Sequence, residues 1–237
     1  NKINTSTNLI ISNETVKDTA INISTNLDNI QAAVKAKTVT AITVSDKNPI
    51  TVSGATAVTN HAEALAAITN AYMLKVDKLT TTDAITLKSP SKNATLSLAV
   101  TDTAANIAAN LDKLQELVKA KTLTSITVSD TTTPVTITAA QLKSDPDVLK
   151  LLTNTGGIVV TGVIAADAAK TAATVGVKTI AISDTSANLV KNIAALETAA
   201  TAGRLTSITV SDGKALVLTE AQIKADGHFL ATQFTTK

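Results

Sequence analysis

The feature that most constrains this chain is that it repeats itself. The block from Asp18 to Asp46 recurs from Asp102 to Asp130 and again from Asp184 to Asp212, at offsets of 84 and 82 residues and with no gap inside the block. Self-similarity at a fixed period marks an array in which one small unit is used several times and buries its apolar face against its neighbours. The expectation is an α/β tandem repeat array, with repeats of 82–84 residues whose short strands form sheets and whose two or three helices pack on them. On this division residues 1–17 are a leading strand segment, 18–101 the first repeat, 102–183 the second and 184–237 an incomplete third.

The first half of the block predicts a helix. Ile107, Leu111, Leu114 and Val118 fall on one helical face, as do Ile23, Leu27, Ile30 and Val34, and Leu189, Ile193, Leu196 and Ala200. An Asp-Thr pair precedes each helix, and such side chains accept hydrogen bonds from the free N–H groups of a first turn. Gly203 stands where the third helix should stop, a place Lys37 and Lys121 take in the other copies.

The second half reads as strands. Ile126 and Val128 alternate with polar residues, a polar turn follows, and Val135 and Ile137 alternate again. Ile42 and Val44 with Ile50 and Val52, and Ile208 and Val210 with Leu216 and Leu218, repeat the pattern, which predicts a β-hairpin in each copy. Beyond it come a shorter helical region (Thr138 to Leu142, then Pro146 as a helix opener) and a strand at Ile158–Val160. A short helix over 165–173 and a strand at Thr179–Ile182 complete that copy. In the first copy Asn60–Leu65 reads as helix, while Met73–Val76, Ile85–Leu87 and Thr95–Val100 read as strands.

Composition narrows the function. Hydrophobic residues make up 44% of the chain, enough for a real core, yet Tyr72, Phe229 and Phe234 are its only aromatics. The net charge of +2 is spread without a basic patch, so nucleic acid is not expected as a partner. Apolar runs such as Gly157–Val160 are far too short to enter a bilayer as a span. With no cysteine there is no thiol chemistry and no cysteine-held zinc. Phosphate-loop, nucleophile-elbow and dinucleotide motifs are all missing, so no small-molecule substrate is expected. His61 and His228 occupy non-equivalent places in the repeat and read as surface or helix-start residues. No acid–base or nucleophile constellation assembles, so the chain is not expected to be an enzyme.

The recurring polar residues are the remaining candidates. Asp46, Asp130 and Asp212 fall in turns, and Asp18, Asp102 and Asp184 fall where strand meets helix. Turn and capping roles are expected for them. The alternative is a calcium ion held between adjacent repeats, with Asp46, Asp130 and Asp212 as candidate ligands; no other cofactor is expected. Asn22/Asn26, Asn106/Asn110 and Asn188/Asn192 recur four apart, which predicts amides bonded to nearby backbone rather than a sugar-binding row.

The stretches Leu111–Asp130 and Ile193–Asp212, each preceded by an Asp-Thr-x-x-Asn sequence, resemble degenerate repeats of large bacterial exported proteins. These are giant adhesins, surface-layer-like proteins and haemolysin-type secreted proteins. The resemblance runs from about Asp18 to Ile223. It implies export, a cell-surface location and a spacer, adhesive or lattice role. The glycine-rich calcium nonapeptide of the haemolysin type is not present, so its calcium roll is not carried over.

The expected partners are further copies of the chain, joined head to tail. The third copy carries no counterpart of Ile158–Val163, whereas Asn8, Leu9, Ile10, Ile11 and Ser12 form an apolar strand candidate with no repeat ahead of it. These residues, with Phe229 and Phe234 in the incomplete copy, are the candidate assembly residues. An open sheet edge of this kind is a template for pairing.

Overall fold

The computed structural model describes residues 14–225, 227–231 and 233–236. Strand β1 (Glu14–Asp18) leads through α1 (Ala20–Thr25) and α2 (Leu27–Lys35) to β2 (Val39–Val44). Next come β3 (Ile50–Ser53), α3 (Gly54–Asn60), α4 (Ala62–Ala66), β4 (Tyr72–Leu79), α5 (Thr81–Thr86) and β5 (Ala94–Asp102). They are followed by α6 (Ala104–Ala109), α7 (Leu111–Lys119), β6 (Leu123–Val128), β7 (Val135–Thr138), α8 (Ala139–Ser144), α9 (Pro146–Lys150) and the short β8 (Leu152–Thr153). After β9 (Ile158–Val163) come a 3-10 turn (Ala165–Asp167), α10 (Ala168–Ala172), β10 (Val177–Asp184), α11 (Ser186–Lys191), α12 (Ile193–Thr201) and β11 (Leu205–Val210). Helix α13 (Glu220–Ala225), a second 3-10 turn (His228–Ala231) and β12 (Gln233–Thr236) complete the described chain.

Two compact units result: the described residues up to Asp102 with Lys113–Thr127, and Thr103–Asp112 with the described residues from Val128 onward. The division falls inside the second copy of the repeat. In the first unit β1 pairs with β2, and a separate sheet runs β3-β4-β5-β6. In the second unit the order is β7-β9-β10-β11-β12. The registered pairs are all parallel. Parallel neighbours need a crossover, and here short helices supply it. Because successive strands are laid down in one direction and such crossovers keep one hand, the helices gather on one face of each sheet. The strands record this: β3 and β7 alternate buried and exposed residues, and β4 does so over most of its length. Ile and Val face the helices while Thr, Ser and Lys face outward.

That one-sided burial explains why the hairpin expectation fails. Strands β2 and β3 lie in different sheets, and so do β6 and β7. A parallel sheet usually has both faces covered and shows continuous apolar runs, so alternation normally signals an antiparallel, half-exposed sheet. Here a parallel sheet with one bare face produces the same period of two. The polar link after β2 therefore carries the chain from one sheet to the next instead of folding it back.

Three other sequence expectations need correction. Ile85–Leu87 is not a strand, since α5 covers Thr81–Thr86 and ends at Leu87, with Thr80 capping its first turn. Leu216 and Leu218 are not in a strand; residues 213–219 have no regular structure. The Asp-led helix is two helices, broken at Asn26, Asn110 and Asn192, whose φ angles are −106°, −119° and −113°. Apolar spacing continues across the break, so the pattern gave no sign of it. The cause is local: the Asn26 amide donates to the Asn22 carbonyl at 2.9 Å, as Asn110 does to Asn106 at 3.0 Å and Asn192 to Asn188 at 2.9 Å. Short polar side chains that bond nearby backbone compete with helix continuation.

The helix ends match expectation. Lys37, Lys121 and Gly203 have φ of 58°, 59° and 66°. In each case the following N–H reaches back into the last turn, Thr38 to Ala33 O, Thr122 to Leu117 O and Arg204 to Ala199 O, each at 3.0 Å. This is the left-handed stop that favours glycine and that two lysines adopt here at some steric cost. The core beneath is aliphatic: Ile23, Ile30, Ile107, Leu111, Leu114, Leu189 and Leu196 are each 1% exposed or less. The fourth position of each face, at Val34, Val118 and Ala200, is only half-buried.

Candidate functional site

The recurring acids of the sequence turn out to be fasteners between a link and a helix start. An Asp46 carboxylate oxygen accepts the Ala20 N–H at 3.1 Å, Asp130 accepts that of Ala104 at 2.7 Å, and Asp212 accepts that of Ser186 at 3.0 Å. Each acceptor lies beside the first residue of α1, α6 or α11, where free N–H groups and the positive end of the helix dipole favour an anion. The Ala20 bond to Asp46 is the main cause that holds that carboxyl below its ordinary value, and the Ser186 N–H does the same for Asp212. Asp212 also accepts the Ser186 hydroxyl at 3.0 Å.

The acids that open the block are equally engaged. One oxygen of Asp18 accepts the Thr19 N–H at 2.8 Å and the Asn22 amide at 2.7 Å. Asp184 repeats both bonds with Thr185 and Asn188 and adds the Ala165 N–H at 2.9 Å on its other oxygen. Burial works to raise the Asp184 carboxyl, but these bonds outweigh it and leave it below its ordinary value. Asp102 takes the Thr81 N–H at 2.8 Å. The expected capping role is therefore observed; the expected backbone bonding of the amides holds for Asn26, Asn110 and Asn192, whereas Asn22 and Asn188 donate to the Asp18 and Asp184 carboxylates instead. Among the described residues no group of three or more His, Cys, Asp or Glu side chains converges to hold a metal ion.

The histidines sit at helix junctions. His61 lies between α3 and α4; its Nε2 is 2.6 Å from an Asp28 oxygen and its Nδ1 is 2.7 Å from the Ala57 carbonyl. His228 opens a 3-10 turn and bonds Glu197 on α12. Burial acts to raise the Glu197 carboxyl, and the Phe229 N–H and His228 outweigh that effect and lower it. Sequence reasoning overlooked the position Glu197 occupies. Gln31 stands at the same place in the first copy, 7% exposed, with its oxygen accepting the Ala64 N–H at 2.8 Å. A polar residue on an otherwise apolar helix face, at Gln31, Gln115 and Glu197, was the available signal.

The assembly candidates fare differently. Asn8, Leu9, Ile10, Ile11 and Ser12 lie outside the described residues. Phe229 is only 2% exposed, so its ring packs inside the second unit and offers no surface to a partner. Residue Phe234 lies in β12, paired with Ile208 of β11. That strand covers the β11 edge, just as Ile68 bridges Ile42 of β2 in the first copy. The third copy therefore has a strand along this edge, which the sequence had not suggested.

The second unit also carries an open groove of about 1150 Å³ between the α8–α9 and α10 crossovers. Apolar side chains such as Leu149, Val163 and Ile164 line it, together with Lys143, Lys150 and Lys170. Lys150 is already paired with Asp147 at 2.8 Å. Asp167, Thr171 and Thr174 add polar groups to the lining. No family model, curated protein or solved structure matches this chain.

Proposed function

We propose that the chain is an extracellular structural protein, not an enzyme, whose repeats stack as a tandem array and join head to tail into a filament, sheath or surface layer. The observation that carries this reading is the threefold recurrence of one device, the Asp46, Asp130 and Asp212 carboxylates on the N–H groups of Ala20, Ala104 and Ser186. A catalytic site needs its special residues once. A scaffold needs the same fastener wherever the unit recurs. Among the described residues no helix is long and apolar enough to cross a membrane, and this fits a chain that works without helical insertion. Copies of the chain are its partners in this reading, with Asn8–Ser12, outside the described residues, as the segment through which one subunit joins the next. Electron microscopy of the purified chain is the test. Long polymers that disappear on deletion of residues 1–12 are expected; a chain that stays monomeric at high concentration overturns the reading.

A second reading, an adhesion module of a larger secreted bacterial protein that binds calcium or carbohydrate, draws support from the groove lined by Lys143, Lys150 and Lys170. A rise in melting temperature with calcium or with acidic oligosaccharides would favour it.

A further inference from the structure

Strands β4 and β9 hold equivalent places, since Leu74 lies opposite Ile50 of β3 and Ile158 lies opposite Val135 of β7. Two residues before Leu74 stands Tyr72, only 7% exposed, whose hydroxyl donates to the Leu65 carbonyl of α4 at 2.9 Å. The ring thus lies against the end of α4. Leu65 itself and Ile68, two residues beyond the helix, are fully buried.

The second unit has matching apolar residues but not the ring. Gly156 stands two residues before Ile158, and a Cβ built there would meet the Thr133 carbonyl oxygen at 2.5 Å. No side chain from this strand therefore takes the place of Tyr72. Leu149 is fourth in α9 as Leu65 is fourth in α4, and Leu152 lies two residues beyond its helix as Ile68 does. Both leucines are only half-buried, and both line the open groove.

The other wall shows a second departure. Thr19, Thr80, Thr103 and Thr185 each precede a helix and accept an N–H group of its first turn. Ile164 holds that place before the 3-10 turn that leads into α10. It makes no such bond, is 49% exposed and lines the groove. A stabilising cap has been exchanged there for apolar surface. Lys143 and Lys170, in the last turns of α8 and α10, bring one cation from each side. Against them stands a single acid, Asp167, among the described lining residues, while Lys150 is paired with Asp147. Mostly apolar walls with a few polar groups are the usual make-up of a small-molecule site.

We infer that the groove between α8–α9 and α10 binds a small aromatic acid, with its ring against Leu149, Leu152 and Ile164 and its carboxylate held by Lys143 and Lys170. The ring does for the second unit what the Tyr72 side chain does for the first. Apolar contact supplies most of the affinity, and the lysines select an anion over a neutral ligand. The site stands on the groove alone and does not require the chain to polymerise.

The test uses the full chain, with its methyl groups observed by NMR, and para-hydroxyphenylacetate as the probe. Saturable binding is expected, with ring-current shifts at Leu149, Leu152 and Ile164 and none at Leu65 or Ile68. Ile164→Thr introduces the capping residue of the other junctions, so it keeps the fold, and should weaken binding about tenfold. Lys143→Gln combined with Lys170→Gln should weaken the acid about threefold to fivefold and leave binding of the neutral para-hydroxyphenylethanol unchanged. Absence of saturable binding overturns the inference, as does an affinity that both sets of substitutions leave unchanged. Tighter binding of dodecanoate at the same methyl groups makes the groove an acyl-chain site and overturns the aromatic assignment. A galacturonate trimer that binds there while the aromatic acid does not overturns it in favour of the carbohydrate reading. Binding of the aromatic acid by a chain that stays monomeric supports the site and counts against the filament reading alone.

Discussion

The carboxylate of Asp130 accepts the backbone N–H of Ala104 at 2.7 Å across 26 residues of sequence. It ties the link after β6 to the start of α6, and it does so from the surface. Loss of such a cap costs about 1 kcal/mol. Leu111 is different: it is 1% exposed at the head of α7. Leu111→Asp buries an unpaired charge and should cost several kcal/mol, at least about 3. Urea melts of Asp130→Ala and Leu111→Asp should rank in that order, and the reverse ranking would make Asp130 something other than a cap.

Acid should loosen the fold through a defined set of groups. Asp46, Asp184, Asp212 and Glu197 all bind a proton less readily in the fold than in the unfolded chain. Their contribution is therefore complete above the ordinary carboxylate values of 3.8 and 4.5 and is lost as pH falls through the lowered ones. Melting temperature should hold nearly level from neutral pH down to about 5 and fall below about 4. Asp46→Asn and Asp212→Asn together should flatten that acid limb.

The left-handed helix stops offer a stabilising change. Lys37 and Lys121 sit at φ of 58° and 59°, where a side chain is strained. Lys37→Gly and Lys121→Gly should each gain about 0.5 kcal/mol, the strain relieved exceeding the added freedom of the unfolded chain. Gly203→Ala, at φ of 66°, should lose about 1 kcal/mol. Opposite signs at equivalent positions make the comparison of denaturation midpoints decisive.

Gln31 supplies a further contrast. Its oxygen is the acceptor for the buried Ala64 N–H. Gln31→Leu keeps the packing but orphans that donor, for a cost of about 1–3 kcal/mol. Gln31→Glu retains an acceptor and should cost less at neutral pH, as Glu197 does the same job for Phe229. Equal losses would show that volume rather than the hydrogen bond matters at this site.

How much of this was legible depends on how local the cause is. Helix starts at Thr19, Thr103 and Thr185, stops at Lys37, Lys121 and Gly203, and the opener Pro146 are all written within a few residues, and all are observed. Strand pairing is not local. Thr alternating with Ile or Val in β6 and β7 shows that each strand is half-buried, but not which strand lies beside it. Nor could spacing place Asp46 on Ala20, because the bond joins a link to a helix on the far side of a strand. The interruption at Asn26 escaped notice for a third reason: a break of one residue leaves the apolar face in step.

The consecutive strand order has a kinetic side. The Asp fasteners each span 26 residues, and the threonine bonds from Thr124 to Leu98 and from Thr206 to Ile180 span the same distance. A strand, its crossover and the next strand thus form a closed loop as soon as they exist, without waiting for remote chain. Parallel sheets are usually slow to fold because their partners lie far apart in sequence. This chain avoids most of that delay, because each of these bonds joins a strand to its partner across a single crossover.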